Sequence, residues 1–266
     1  MNSLTVVYRA IKANSIACLS DKFSFFSFNY LTLFFNFAQI TPLESIKGKA
    51  MQRVSNLEKE DYTTSEKEIF EAAEQFLGRT SNLMKILITH TPEIARWWLG
   101  FLVSIRQDGL GSNSDVKLRG LACVKTSMTN ECNYCTSHTR IYAKGIGLSD
   151  EQIIALSTDD YKTSSLFTKR EKLALEWAEA VTLNQSRDNQ ELADRMKSEF
   201  SDREVIEITL ASGLFNLGNR LNDSFVSELE SETYNKKQWN AVGKLSIQAL
   251  ENFASKFPDQ KFRNVE

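Results

Sequence analysis

Glycine and proline are scarce in this chain. Its 266 residues include 11 glycines and 3 prolines, well below the roughly 7% and 5% of average proteins. Sheet proteins use both residues at their many turns, so this composition favours long helices. Nowhere does the sequence alternate apolar and polar residues convincingly over the length of a strand. The sequence therefore predicts an all-α fold.

An excess of one charge sign is also missing, as are the sequence motifs of the common cofactors. The net charge is −2 and the basic residues are spread along the chain, so no electrostatic footprint for nucleic acid is present. With two histidines and no glycine-rich phosphate loop, nothing implies a nucleotide, flavin or haem cofactor. Four cysteines do not make a secreted disulfide scaffold. We predict a cytoplasmic protein, in a reducing compartment, that binds no cofactor and no nucleic acid.

The first 50 residues differ in composition from the rest. An aromatic run from Phe23 to Phe37 is interrupted by Ser, Asn and Thr, whereas a membrane-spanning helix needs about 20 mostly apolar residues. A cleaved signal peptide would carry its apolar stretch nearer Met1. We predict an extension outside the fold at residues 1–50, with a signal anchor or targeting segment as the alternative. A helical domain is predicted at 51–235, and a C-terminal helix and tail at 236–266.

Two of the four cysteines and one of the two histidines lie within seven consecutive residues, from Cys132 to His138. If this stretch is helical, Cys132, Cys135 and His138 fall within roughly a 120° arc. Asn130 is the candidate N-cap, which would place both cysteines in the first turns, where the helix dipole favours a thiolate. His138 follows one turn later, within reach of a thiol proton. The pattern indicates dithiol redox chemistry, in which one thiolate attacks an oxidant and the other thiol closes a disulfide.

Two other interpretations of the cysteine pair stay open. Cysteines three residues apart on a helix also occur as small apolar residues in a core. A structural zinc site needs four protein ligands, so Cys123, His90 or a carboxylate would have to complete the set. Attachment of haem is excluded, because Thr136 and not histidine follows the second cysteine.

The stretch CNYCTSH at residues 132–138 resembles the redox motif of the AhpD-like alkylhydroperoxidases, within the carboxymuconolactone decarboxylase superfamily. Residues 118–123 resemble the helix that precedes this motif in the family. Residues 215–223 resemble a later helix that is common in its uncharacterised members. The resemblance spans roughly residues 51–230 and implies an AhpD-like helical bundle that assembles as a homo-oligomer, a trimer or higher.

The resemblance also implies roles for the three motif residues. Cys135 is the attacking thiolate, Cys132 resolves the intermediate, and His138 handles the proton. The substrate is then a hydroperoxide, and a thiol reductant or redox protein regenerates the dithiol, with no metal, cofactor or membrane involved. The name-giving members of the superfamily act on a lactone carboxylate without relying on a cysteine pair. They imply a decarboxylase-type lyase as the alternative activity.

Two features depart from the family pattern. Well-studied members place a glutamate of the proton relay twelve residues before the first cysteine, and that position is Gly120 here. They also separate the second cysteine from the histidine by four residues, whereas Cys135 and His138 are three apart. Glu131 is the nearby carboxylate in sequence, and a solvated capping role is favoured for it over a catalytic one.

A polar set follows the apolar stretch that begins near residue 205. It lies directly after the predicted helix, and in the family polar residues occupy this place. These side chains either line the active-site pocket or hydrogen-bond helix ends and a subunit contact, and we favour the structural role. The set consists of Asn216, Asn219, Arg220, Asn222 and Asp223.

Overall fold

The computed structural model describes residues 51–237 and 245–263. Within these ranges the chain forms eleven α-helices and no strand, which confirms the all-α prediction. The predicted N-terminal extension at residues 1–50 lies outside them. The helices are α1 Thr64–Leu77, α2 Asn82–His90, α3 Pro92–Arg106, α4 Val116–Thr129, α5 Asn133–Gly145, α6 Asp150–Ala155, α7 Lys169–Thr182, α8 Gln190–Glu199, α9 Asp202–Phe225, α10 Glu232–Asn235 and α11 Ile247–Ser255.

Side-chain caps decide where several helices begin. Capping boxes start α6, α7 and α9 at Ser149, Thr168 and Ser201. The box of α1 is formed by Thr63 and Glu66. The Thr63 amide donates to the Glu66 carboxylate at 2.8 Å, and the Glu66 amide donates back to the Thr63 hydroxyl. In each box the two members are three positions apart, so that each side chain reaches the main-chain amide of the other.

Helix α4 is the central element, in contact with α3, α5, α7 and α9. Its apolar residues Leu121, Ala122 and Val124 are fully buried, and so is Cys123, which is therefore a core residue. At Gly120, α4 packs closely against Tyr142 of α5 and against Ile146, which follows α5. A Cβ there would stand 2.3 Å from the Ile146 side chain. A side chain at this position, where the family carries its glutamate, would require the Ile146 side chain to move.

Helix α9 is 24 residues long and runs without interruption through the polar set. The prediction that the polar set follows this helix is therefore wrong. Asn219 and Asn222 are buried, whereas Arg220 and Asp223 are exposed. The three-residue spacing of the two asparagines places them on one face of the helix, toward the protein interior.

Residues 247–263 pack on α1 and α3. The ring of Phe253 lies edge-on to Phe76, with 5.6 Å between centroids, and Phe257 packs against Phe253 in turn. Arg263 forms an ion pair with the buried carboxylate of Glu66. Trp239 and Val242 of the predicted C-terminal helix lie outside the described residues, and the domain boundary at 235 stays a prediction. In the described ranges, no helix is long and apolar enough to cross a membrane.

Candidate active site

The cysteine motif forms the start of α5. The N-cap is Cys132 itself, whose sulfur accepts a hydrogen bond from the amide of Cys135 at 3.3 Å. The predicted N-cap, Asn130, instead ends α4. Glu131 joins the two helices with a left-handed backbone (φ 56°) and is exposed. This tight turn brings the Sγ atoms of Cys132 and Cys135 within 2.6 Å, and both are free cysteines.

The two thiols differ in their access to a cavity at the N-terminal end of α5. This cavity has about 620 Å³ of empty space, including its open mouth. Cys135 and His138 line it, whereas Cys132 is 1% exposed and is not part of the wall. The remaining wall is largely apolar, with contributions from α2, α3 and α9. Its apolar members include Leu83, Trp98, Leu102, Leu214 and Phe215.

His138 is held between a cation and an anion. Its Nδ1 lies 2.9 Å from a guanidinium nitrogen of Arg79, and its Nε2 lies 2.7 Å from a carboxylate oxygen of Glu230. A guanidinium only donates hydrogen bonds and a carboxylate only accepts them. The partners therefore assign the tautomer: Nε2 carries the proton and Nδ1 accepts.

Glu230 is the carboxylate of the site, and the sequence analysis missed it. Besides His138, it accepts hydrogen bonds from the Tyr134 hydroxyl, at 2.8 Å, and from the main-chain amide of Asn82. A guanidinium nitrogen of Arg79 lies 3.9 Å from a carboxylate oxygen of Glu230, and the side chain of Glu230 is 7% exposed. Glu230 lies 92 residues from His138, in the segment between α9 and α10. The only sequence signal is that it closes the stretch resembling the family.

The electrostatics of the site follow from this packing. Burial, aided by the positive charge of Arg79, lowers the pKa of His138 to about 4, although Glu230 acts in the opposite direction. Burial alone would raise the pKa of Glu230, but the hydrogen bond from His138 and the charge of Arg79 lower it to about 2. At neutral pH the site therefore holds a neutral imidazole between a guanidinium cation and a carboxylate anion.

The thiol of Cys135 is held mainly in its neutral form. The neighbouring sulfur of Cys132, followed by burial, raises the pKa of Cys135, while a hydrogen bond from Asn222 acts to lower it. The amide nitrogen of Asn222 lies 3.4 Å from the Cys135 sulfur. Two sulfurs this close carry at most one negative charge between them.

The polar set of α9 divides between the two roles considered for it. Asn219 and Asn222 line the cavity beside Cys135, as the functional interpretation expected. Asn216 has a structural role, because its side-chain oxygen accepts a hydrogen bond from Asn130 at 2.8 Å and so ties α9 to the end of α4. Arg220 bonds back to Asn216 on the exposed side of the helix.

The residues named for a zinc site lie apart from the motif. Cys123 is in the core, where burial raises its pKa to about 12. The Nε2 of His90 contacts the carbonyl oxygen of Ser55 at 2.8 Å. Among residues 51–237 and 245–263, no three His, Cys, Asp or Glu side chains form a group that could hold a metal ion.

Comparisons with solved structures agree with this architecture. A peroxidase-related protein from Ralstonia eutropha JMP134, described as an alkylhydroperoxidase AhpD core, superposes with a TM-score of 0.59 at 17% identity, over 71% of this chain and 97% of that one. The debrominase Bmp8 superposes with a TM-score of 0.58 at 22% identity, over 71% of this chain and 96% of Bmp8. At these identities the likeness establishes the AhpD-like all-α fold.

Sequence comparison gives the family. Residues 92–180, which contain the cysteine motif, match the carboxymuconolactone decarboxylase family. The uncharacterized protein YnjA of Escherichia coli K12 is 30% identical over 138 residues, which are 48% of this chain and 74% of YnjA. With the motif, the fold and this relative in agreement, the chain belongs to the carboxymuconolactone decarboxylase family.

Proposed function

We propose that this chain is a thiol-dependent oxidoreductase that reduces organic hydroperoxides through a Cys132–Cys135 dithiol/disulfide cycle. The family consists of enzymes of broadly oxidoreductase or lyase type. The observation that carries the proposal is the pair of free sulfurs 2.6 Å apart, of which Cys135 lines a cavity. A lyase has no use for two thiols at bonding reach, whereas a dithiol reductase requires them.

The proposed reaction begins with attack of the Cys135 thiolate on the distal oxygen of the hydroperoxide. The O–O bond breaks, Cys135 becomes a sulfenic acid, and the alkoxide takes up a proton and leaves as an alcohol. The Cys132 thiol then attacks the Cys135 sulfur, water leaves, and the disulfide forms. An external thiol reductant or redox protein returns both cysteines to thiols.

The first step needs a thiolate, and the amide of Asn222 stabilises it by donating a hydrogen bond to the Cys135 sulfur at 3.4 Å. Arg79 and Arg106 line the same cavity. In our proposal His138 handles the thiol proton as a neutral imidazole, and Glu230 orients the ring by accepting a hydrogen bond from its Nε2 at 2.7 Å.

The apolar side chains of the cavity favour an organic hydroperoxide over hydrogen peroxide. Six of the 16 residues that line it are Leu, Trp or Phe, and burying the apolar part of a substrate against them stabilises the complex. Hydrogen peroxide has no apolar part to bury. We therefore expect aryl and alkyl hydroperoxides to react faster at equal concentration.

Thiol counting by mass tests the proposal. Pre-reduced full-length protein is treated with about one equivalent of cumene hydroperoxide, and each cysteine is then assigned by mass. We expect the wild type to lose two thiols as a Cys132–Cys135 disulfide. Cys132→Ser accumulates a sulfenic acid at Cys135, which dimedone traps, and Cys135→Ser does not react. Cys123→Ser, which alters a buried core cysteine, is the matched control and behaves as the wild type.

The same experiment has two outcomes that overturn the proposal. If both thiols of the wild type stay free with every hydroperoxide tried, the chain is not a dithiol peroxidase. If Cys132→Ser leaves Cys135 unmodified while Cys135→Ser oxidises at Cys132, the roles of the two cysteines are reversed. A lyase activity on a lactone carboxylate that survives in Cys135→Ser would instead favour the decarboxylase-type activity.

A second candidate function is reductive dehalogenation. The debrominase Bmp8 shares the fold, and one of its structures contains 2,3,4-tribromopyrrole. In this chain Trp98 and Phe215 give the cavity aromatic walls that suit such a ring. The dithiol would supply two electrons, so that the aryl bromide becomes the arene, bromide and a proton are released, and the disulfide forms. Bromide release from 2,3,4-tribromopyrrole by pre-reduced protein tests it.

We also propose that the chain forms a homo-oligomer. Two outward helix faces expose large apolar side chains, namely Ile94, Trp97 and Phe101 on α3 and Ile206, Leu210 and Leu217 on α9. Apolar surface of this kind is typical of subunit interfaces. Light scattering coupled to size exclusion should give a mass of three subunits or more, and a monomer would contradict the proposal.

A further inference from the structure

We infer that the cavity beside Cys135 binds an apolar ligand that donates a hydrogen bond to the side-chain oxygens of Asn219 and Asn222. The two asparagines thus become binding residues of the site. The inference rests on the proposed function in one respect only, namely that the O–H donor belongs to a hydroperoxide. The binding chemistry itself follows from the orientation of the two amides.

Main-chain carbonyls fix those orientations. The Nδ2 of Asn222 donates to the carbonyl oxygen of Gly218 at 2.8 Å, and the Nδ2 of Asn219 donates to that of Thr126 at 3.4 Å. A main-chain carbonyl only accepts hydrogen bonds, so each amide nitrogen must face it. Flipping either side chain would bring two acceptors together. Each Oδ1 is therefore the atom left over for another partner.

Neither oxygen has such a partner within the part of the chain that the structure describes. Asn219 is 1% exposed and Asn222 is 4% exposed, and both line the cavity. Buried acceptors without a partner are unfavourable and uncommon in folded proteins. Two of them, one helical turn apart and in the same cavity, point to a group that supplies the missing donor when it binds.

The chemistry of that group is an O–H or N–H on an apolar molecule. A carboxylate or a carbonyl oxygen would meet the two acceptors unfavourably, because none of these oxygens has a proton to share. The apolar walls, among them Leu83, Leu102 and Leu214, favour a hydrocarbon body. An organic hydroperoxide has both parts, and the single proton on its distal oxygen would be shared between the two side-chain oxygens in a three-centre hydrogen bond.

Asn222 joins this binding role to the reaction. Its Nδ2 lies 3.4 Å from the Cys135 sulfur, while its Oδ1 is free to accept from the hydroperoxide. One side chain would then hold the attacking sulfur and the distal oxygen beside each other, in the arrangement that the displacement needs. Asn219, which does not contact the thiol, would contribute to ligand binding alone.

The first test measures binding with two unreactive probes, 2-phenyl-2-propanol and its methyl ether. The alcohol has the O–H donor and the ether lacks it, while their apolar parts are nearly the same. Dissociation constants are measured by calorimetry or ligand-observed NMR on full-length reduced protein. In Asn219→Leu we expect the preference for the alcohol over the ether to fall roughly fivefold relative to wild type. Asn219→Gln, which keeps both the amide donor and the acceptor oxygen, should retain more of the preference than Asn219→Leu.

A kinetic test separates the two asparagines. Oxidation of Cys135 by cumene hydroperoxide needs both the thiolate and the donor-binding oxygens, whereas alkylation by iodoacetamide needs only the thiolate. We expect Asn219→Leu to slow oxidation roughly fivefold and to leave alkylation unchanged. Asn222→Leu should slow both reactions. If the leucine variants do not fold, as judged by circular dichroism, Asn219→Ala and Asn222→Ala serve the same comparison.

The outcomes distinguish this inference from the proposed function. An unchanged alcohol-to-ether preference in Asn219→Leu overturns the inference, even if the wild type reduces hydroperoxides. If the preference is lost as expected but the wild type reacts with no hydroperoxide, the proposed function fails. The cavity would then bind another donor-bearing ligand, such as an N–H heteroaromatic ring.

Discussion

The two regions that build the active site are assembled in different ways. The motif from Cys132 to His138 is local: one N-cap and one helical turn bring its cysteines and histidine together. Glu230 comes from a distant segment that leaves α9 at Val226, in a left-handed conformation, and returns to the start of α2. Local spacing therefore reveals the thiols, whereas only the fold reveals their carboxylate.

The largest effect should come from removing that distant carboxylate. Glu230→Ala leaves Arg79, which is 4% exposed, without its buried counter-charge and removes the acceptor of three hydrogen bonds. Breaking a buried ion pair in this way costs about 3–5 kcal/mol. Urea denaturation monitored by circular dichroism gives the free energy of unfolding. Glu230→Gln, which keeps an acceptor oxygen, should lose less.

The control for this variant is a glutamate two positions away. Glu232 is exposed and pairs with Lys236 on the surface, so Glu232→Ala should change the free energy of unfolding by less than about 0.5 kcal/mol. A loss below about 1 kcal/mol in Glu230→Ala would mean that the distant segment is loosely attached. It would contradict the view that this distant segment is an integral part of the site.

The same contrast explains what could be predicted from the sequence. Composition, the lack of strand-like alternation and the spacing of cysteine and histidine are properties of the local sequence, so the all-α fold and the grouping of Cys132, Cys135 and His138 could be predicted from them. The N-cap was predicted at Asn130 but is Cys132, which is not among the residue types that usually cap a helix. Glu230 and Arg79 were missed because no spacing rule links residues so far apart along the chain. Their partnership depends on how α9 and the segment after it cross the bundle.

The second prediction concerns the pH dependence of stability. The pKa of His138 falls from its usual 6.5 to about 4 on folding, so between these values the unfolded chain binds a proton that the folded protein does not. Stability is complete above pH 6.5 and decreases as the pH falls toward 4, by about 3 kcal/mol from this group. Glu230, whose pKa falls from 4.5 to about 2, extends the loss below pH 4.5.

Urea denaturation between pH 7 and pH 4 measures this slope. His138→Gln keeps a donor for Glu230 and an acceptor for Arg79 but does not titrate, so its stability should depend less on pH across this window. His90→Gln removes the other histidine, which lies away from the site, and should retain the wild-type slope. Parallel curves for the wild type and His138→Gln would contradict the assignment of a neutral, buried imidazole.

A third, smaller effect is expected at Gly120, where the family pattern predicts a carboxylate. In Gly120→Ala the added methyl group meets the end of the Ile146 side chain at 2.3 Å and the buried ring of Tyr142 at 3.1 Å. Ile146 can turn aside more easily than Tyr142, so we expect a loss of about 1–2 kcal/mol. Gly120→Glu should lose far more and should not increase the rate of Cys135 oxidation.

The matched control for Gly120 is Gly100, a glycine within α3 that has open space where a Cβ would stand. Gly100→Ala should raise the free energy of unfolding by about 0.5–1 kcal/mol, because alanine loses less backbone entropy in a helix. If Gly120→Ala were equally stabilising, the close approach of α4 and α5 would not be what excludes the family glutamate.

The smallest effect is expected at the carboxylate that is nearest to the motif in sequence. Glu131 immediately precedes Cys132, yet its side chain is exposed in the turn between α4 and α5. A solvated charge interacts weakly with its surroundings. Glu131→Gln should therefore leave the rate of Cys135 oxidation within about twofold and the free energy of unfolding within about 0.5 kcal/mol. A tenfold loss of rate in stopped-flow measurements would show that Glu131, and not Glu230, is the carboxylate that assists the reaction.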